Sequence, residues 1–161
     1  MLLRMTQKLS KKVKARPVEH HPMHANAFAD WSAHYLPAQD GPMLLIMNTR
    51  SLYTVIAPGD GLSNPVGLEA RVFAYVKDAP MSDGFEFFYR RLVDGDDEAT
   101  VFSKPLDEAS KAILDDVGEL ALHYLTEDDL DREACALKIN EAPMSVLKQE
   151  TPRRAFQTMG F

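Results

Sequence analysis

The most constraining feature of the chain is a pair of short apolar runs, Met43-Leu44-Leu45-Ile46-Met47 and Leu52-Tyr53-Thr54-Val55-Ile56, separated by Asn48-Thr49-Arg50-Ser51. Five-residue runs are too short for buried helices and match the length of strands. The polar interval between them reads as the turn of a β-hairpin. Asn48 suits that turn because its side chain can bond nearby backbone groups and tolerate unusual dihedrals. Both faces of both runs are apolar, so the hairpin is expected at the centre of its sheet.

Around this hairpin the sequence reads as helices. Leu2 to Met5 forms a short first strand, and a basic helix follows from Thr6 to Lys14. Asn26 is positioned to cap a second helix reaching Tyr35, with Phe28, Trp31 and Tyr35 at i, i+3 and i+7. Pro37 and Gly41-Pro42 would close it. Asn64-Pro65 opens another helix carrying Leu68, Val72 and Val76, with a strand over 72–76 as the alternative. Phe85, Phe88, Tyr89 and Leu92 have helical spacing, and Thr100 to Ser103 reads as a short strand. From Pro105, the stripe Leu106, Ala109, Ile113, Val117, Leu120 and Tyr124 predicts the longest helix. Thr126 with Asp129 resembles a capping box for a helix ending near Ile139. Residues 140–161 contain two prolines and carry no clear pattern, so an extended C-terminal tail is expected there. The expected fold is α+β: one domain over 1–161, with a small, mainly antiparallel sheet and a central hairpin covered by several helices.

Composition narrows the function classes. With 161 residues, 45 % apolar and 26 % charged, the chain has enough apolar surface for one ordered core. Its longest apolar run is five residues, far short of the ~20 that span a bilayer. A lone cysteine, Cys135, excludes an internal disulfide framework and a cysteine-based zinc site. These points predict a cytoplasmic protein. The net charge of −6 is unevenly spread. Residues 1–60 hold seven Lys/Arg against four Asp/Glu, and the remainder holds eleven against twenty. Before Glu19 there are six basic residues and no acid. A transit peptide would share that composition, but a strand followed by a basic helix is the preferred reading.

Candidate chemistry is sparse. His20, His21 and His24, with Asp30 and His34 nearby, contain imidazoles at metal-ligand spacing, although Pro22 interrupts any helix that would align them. Asp94-Gly95-Asp96-Asp97-Glu98 lacks the ligand order of a calcium loop and reads as an acidic turn. Phe85 to Arg91 sets aromatics beside two arginines, a pattern that suits stacked bases but is met more simply by a helix burying Phe85, Phe88 and Tyr89 and exposing the arginines. Cys135 falls in a helical apolar pattern. Nucleophile elbows and glycine-rich phosphate loops are missing.

Three segments in order carry a resemblance: Thr6-Gln7-Lys8-Leu9, Asp30-Trp31-Ser32-Ala33, and Leu44-Leu45-Ile46-Met47-Asn48-Thr49-Arg50-Ser51. Together they resemble a family of small uncharacterised bacterial proteins, a domain of unknown function. Its members show T-x-K-L, then D-W-x-A, then an apolar strand ending in Asn. The family's closing R-S-V-L-G segment has Met144-Ser145-Val146-Leu147-Lys148 as its altered counterpart. The resemblance implies no activity and no cofactor. It singles out Lys8, Asp30, Trp31 and Asn48, for which the structural roles are solvated cation, helix partner, core residue and turn former.

The functional expectation is a non-enzymatic binding or regulatory module. Lys8, Lys11, Lys12 and Arg50 would contact an acidic protein or nucleic-acid partner. A small metal-dependent hydrolase using His20, His21 and His24 is the enzymatic alternative. An oligomeric structural protein, joined through the hairpin edge or an aromatic helix, is the third.

Overall fold

Strand grammar begins at the first residues: Leu2–Met5 is wholly buried as β1, and Thr6 then turns the chain into α1, Gln7–Val13. The Thr6 hydroxyl accepts from the Leu9 amide at 3.5 Å, and Lys14 ends the helix in the left-handed region. In the computed structural model, which describes residues 1–18, 21–93 and 99–159, the remaining strands are β2 Asp30–Leu36, β3 Met43–Asn48, β4 Thr54–Pro58 and β5 Val101–Ser103. The sheet order is β4-β3-β2-β1-β5. The longer ladders, β2–β3 and β3–β4, are antiparallel; β1 runs parallel to β2 and β5.

The fold is α+β, as expected, but β2 corrects the sequence reading. Asn26 does cap a helical turn, accepting from Phe28 N at 3.1 Å, yet that turn is a 3₁₀ piece over Ala27–Ala29. Residues 30–36 then extend. Trp31 and Tyr35 are four apart, a spacing that satisfies a helix face and a strand face alike. The alternating polar residues Asp30, Ser32 and His34 decide for the strand because each finds a partner on the opposite sheet face.

The hairpin also differs in placement. β3 lies inside the sheet while β4 forms its edge. Both faces are apolar because helices cover both, so apolarity did not require a central position. On one face, Leu3, Trp31, Ala33, Leu44, Ile46 and Val55 pack under α1, α2 (Pro65–Ser82) and α3 (Glu86–Val93). On the other, Leu45, Met47 and Ile56 meet α4 (Glu108–Thr126) and α5 (Arg132–Asn140). The edge is closed by Asn140, whose amide accepts from Thr54 N at 2.7 Å and donates to Thr54 O at 2.8 Å, standing in for a sixth strand at that residue.

Two helix starts differ from expectation, while α2 is helical as expected. α2 runs through 72–76 without a strand. α4 starts only at Glu108, because Asp107 caps it by accepting from Ser110 N at 2.7 Å. α5 starts at Arg132 under the cap of Asp131; Thr126 is instead the last residue of α4, and Asp129 has φ 49° between the two. The acidic stretch 94–98 lies outside the described residues.

The C-terminal part returns to the core. Thr151 caps α6, Pro152–Thr158, and Phe156 is fully buried. Its ring stacks on Tyr53 at 4.6 Å and meets Phe28 and Phe88 at 5.4 and 5.1 Å. Phe156→Ala is expected to cost about 3–5 kcal/mol, the range for an aromatic removed from a closed core. Urea unfolding followed by Trp31 fluorescence checks this, and a loss below about 1 kcal/mol would contradict the packing.

Candidate functional site

Alternation along β1 and β2 places Arg4, Asp30, Ser32 and His34 on the α4 side of the sheet, opposite Trp31. Arg4 and Asp30 have fully buried side chains and form a two-pronged pair: Nε donates to Oδ1 at 2.9 Å and Nη2 to Oδ2 at 2.9 Å. The other guanidinium hydrogens hold the segment that crosses this face. Nη1 donates to the His21 carbonyl at 2.9 Å and Nη2 to the Pro22 carbonyl at 3.1 Å. The His24 amide completes the set by donating to Asp30 Oδ2 at 2.9 Å. Asp30 is thus a β-strand residue paired to Arg4, and Trp31 is a core residue whose Nε1 donates to Phe28 O at 2.7 Å.

Asn48 joins this end of the sheet to the β3–β4 turn. Its Nδ2 donates to Ala27 O and Asp30 O at 2.9 and 3.2 Å; its Oδ1 accepts from Arg50 N, Ser51 N and Ser51 Oγ. Thr49 adds a backbone bond to Asp30 O and a hydroxyl contact to Ser32, at 3.0 and 2.9 Å. Among the described residues, no buried side-chain nitrogen or oxygen is left without a hydrogen-bond partner.

The histidines are dispersed. His20 lies outside the described residues. His21 Nδ1 donates to Pro22 O, and His24 Nδ1 accepts from Asn26 N, each at 2.9 Å. His34 is four residues beyond Asp30 on β2, about 13 Å along the strand. Among the described residues, no three His, Cys, Asp or Glu side chains are grouped to hold a metal ion. Burial pushes the Cys135 thiol up to about 11, which disfavours the thiolate a nucleophile needs.

The other end of the sheet is built differently. Lys8 and Lys12, one turn apart on α1, place their ammonium groups 5.9 and 5.5 Å from the half-buried Tyr35 ring. Lys11 lines a neighbouring cleft of about 730 Å³ with Lys104 and Lys111. Met5, Pro17, Pro105 and Leu106 give it apolar walls, and Asp107 and Glu108 also border it. Arg50 belongs to the locked end: Asn48 pairs with Trp31 at the start of β2, whereas Tyr35 pairs with Leu44 near its finish. The structure therefore brings Lys8, Lys11 and Lys12 together and leaves Arg50 apart. Lys104 and Lys111 escaped the sequence reading because they are roughly 90 to 100 residues from α1, and no local pattern joins them.

Thr6 and His34 meet at this same end, with Thr6 Oγ1 and His34 Nδ1 2.9 Å apart. Burial holds the imidazole below its ordinary 6.5; Lys8 adds to that effect and Asp115 opposes it.

These features define an α+β protein with a locked buried ion pair at one end of its sheet and a basic, cleft-bearing surface at the other. The chain belongs to the family described as Domain of unknown function (DUF6933), whose model matches residues 2–155. No curated protein and no solved structure matches it.

Two outcomes follow from this geometry. Asp30→Asn is expected to cost about 3–5 kcal/mol, because it leaves the buried Arg4 charge without its counter-ion. Urea unfolding measures it, and an effect under about 1 kcal/mol would contradict the pairing. For His34, the unfolded chain takes up a proton before the folded chain does as pH falls. Stability is therefore expected to drop from pH 6.5 down to the lower native value, with a weaker slope in His34→Gln. An imidazole NMR titration with its midpoint at or above 6.5 would contradict this.

Proposed function

We propose that the protein is a single-domain, non-enzymatic binding module of the cytoplasm that docks an acidic protein segment on α1. The observation that carries this reading is the placement of Lys8 and Lys12 on either turn of α1 beside Tyr35, with Lys11 on the same short helix. Exposed lysines clustered on one helix give a local positive field within an otherwise acidic chain, and such a field steers an acidic partner. A protein segment fits better than a nucleic acid. Tyr35 is half-buried with two ammonium groups already near its ring, which leaves little aromatic surface for stacking a base, and the net charge of −6 repels a phosphate backbone beyond the patch. No helix among the described residues is long and apolar enough to cross a membrane.

The test uses poly-L-glutamate and a single-stranded oligodeoxynucleotide as probes, measured by fluorescence anisotropy at low ionic strength. The intact protein is expected to prefer poly-L-glutamate. The Lys8→Glu/Lys12→Glu variant is expected to lose about tenfold in affinity, with both effects fading as salt rises. Equal binding by protein and variant, or tighter binding of the oligonucleotide, would overturn the reading.

A further inference from the structure

The cleft beside α1 has a position and a lining that the docking of an acidic segment does not use. β1 and β5 are parallel neighbours, and from their carboxyl ends the chain turns to opposite faces of the sheet. After β1 it enters α1, which packs on the Trp31 face through Leu9 and Val13. After β5 it enters α4, which packs on the opposite face through Leu114 and Val117. Adjacent parallel strands whose following helices lie on opposite faces open a crevice at their carboxyl ends, the place where open sheets with helices on both sides take ligands. The cleft bordered by Met5, Thr6 and Lys104 lies at that crevice.

Its volume of about 730 Å³ falls within the range of small-molecule sites. The lining has two chemical characters. Met5, Pro17, Pro105 and Leu106 offer apolar surface; Lys11, Lys104 and Lys111 bring positive charge from three separate segments. Of the two bordering acids, Asp107 is engaged as the cap of α4, and its bonds to Ser110 hold its carboxyl below the usual carboxylate range. Asp107 stays ionised, so two carboxylates stand against three lysines and the lining keeps a small positive excess. The end of α4 is satisfied by this cap, so the lysines rather than the helix terminus supply the attraction for an anion.

We propose that this cleft binds a small amphipathic anion, an organic molecule with an apolar body and a carboxylate, sulfonate or phosphate group, through Lys11, Lys104 and Lys111 around the walls of Met5 and Leu106. The site shares only Lys11 with the acidic-segment surface: Lys104 and Lys111 belong to the cleft, and Lys8 and Lys12 do not line it.

The probe is 1-anilinonaphthalene-8-sulfonate, titrated into the native full-length chain and followed by fluorescence, with its uncharged relative N-phenyl-1-naphthylamine in parallel. Near-UV circular dichroism of Trp31 verifies the native core in every sample. Saturable binding of one sulfonate probe per chain is expected, with the uncharged relative about tenfold weaker. Lys104→Gln/Lys111→Gln is expected to weaken the sulfonate about tenfold and leave the uncharged probe unchanged, whereas Leu106→Glu weakens both. Lys8→Glu/Lys12→Glu is expected to leave one-site binding in place, which separates this site from the docking surface. Equal affinity for both probes would reduce the cleft to an apolar patch and overturn the proposal. Equal potency of inorganic phosphate as a competitor would reduce it to a bare anion site, with the same consequence. Non-saturable binding, or lysine variants indistinguishable from the intact protein, would also overturn it.

Discussion

The buried pair Arg4–Asp30 is the interaction on which the arrangement of this protein depends. Both side chains are fully enclosed, so each charge gave up its hydration on folding, and only close geometry offsets that loss. The geometry is supplied in full: two bonds between the charged groups, two from Arg4 to carbonyls, and one from the His24 amide to Asp30. A pair of this kind adds little net stability over an apolar substitute. It does set register, because β1 and β2 must lie with Arg4 and Asp30 in reach, and the crossing segment at 21–24 must present its carbonyls there. Asn48 extends the same control to the hairpin turn by bonding to Asp30 O.

The consequence is a sheet with two unlike ends. Around Asp30 the polar groups are spent on each other, and the surface there is closed by backbone. Around Tyr35 and the finish of β1, the lysines of α1, the β5–α4 connection and α4 gather beside a cleft. Rigid support at one end and exposed charge at the other is a suitable division for a binding protein, since a site is precise only if the elements carrying it are held. Thr6 belongs to that second end. It caps α1, borders the cleft, and meets His34, whose face lies close against α4 at Gly118.

Elements set by local chemistry were legible in the sequence. The two apolar runs are β3 and β4, Asn64-Pro65 opens α2, and Leu2 to Met5 is β1. α6 obeys the same cap-and-proline grammar, Thr151-Pro152, and the signal was there to be read; its short length and the second proline at 143 obscured it. β2 was misread because Phe28, Trp31 and Tyr35 fit a helical stripe, and the competing evidence was the polar alternation of Asp30, Ser32 and His34, whose partners are distant in sequence. Arg4 shows the same limit. It looked like one more member of a basic N-terminal stretch, and only a residue 26 positions away makes it a buried ion. The basic cluster on α1 was visible as composition, whereas the cleft was not, because Lys104 and Lys111 join it through sheet order.

Recognition at the α1 end of the sheet, with the Arg4–Asp30 end only supporting it, is what we propose. Amide chemical-shift mapping with poly-L-glutamate tests it most directly. Shifts are expected at residues 6–14 and at Tyr35, with the amides of 21–26 and 48–51 unmoved. Shifts centred on the His21–Asn26 segment or on the Asn48–Ser51 turn would contradict it.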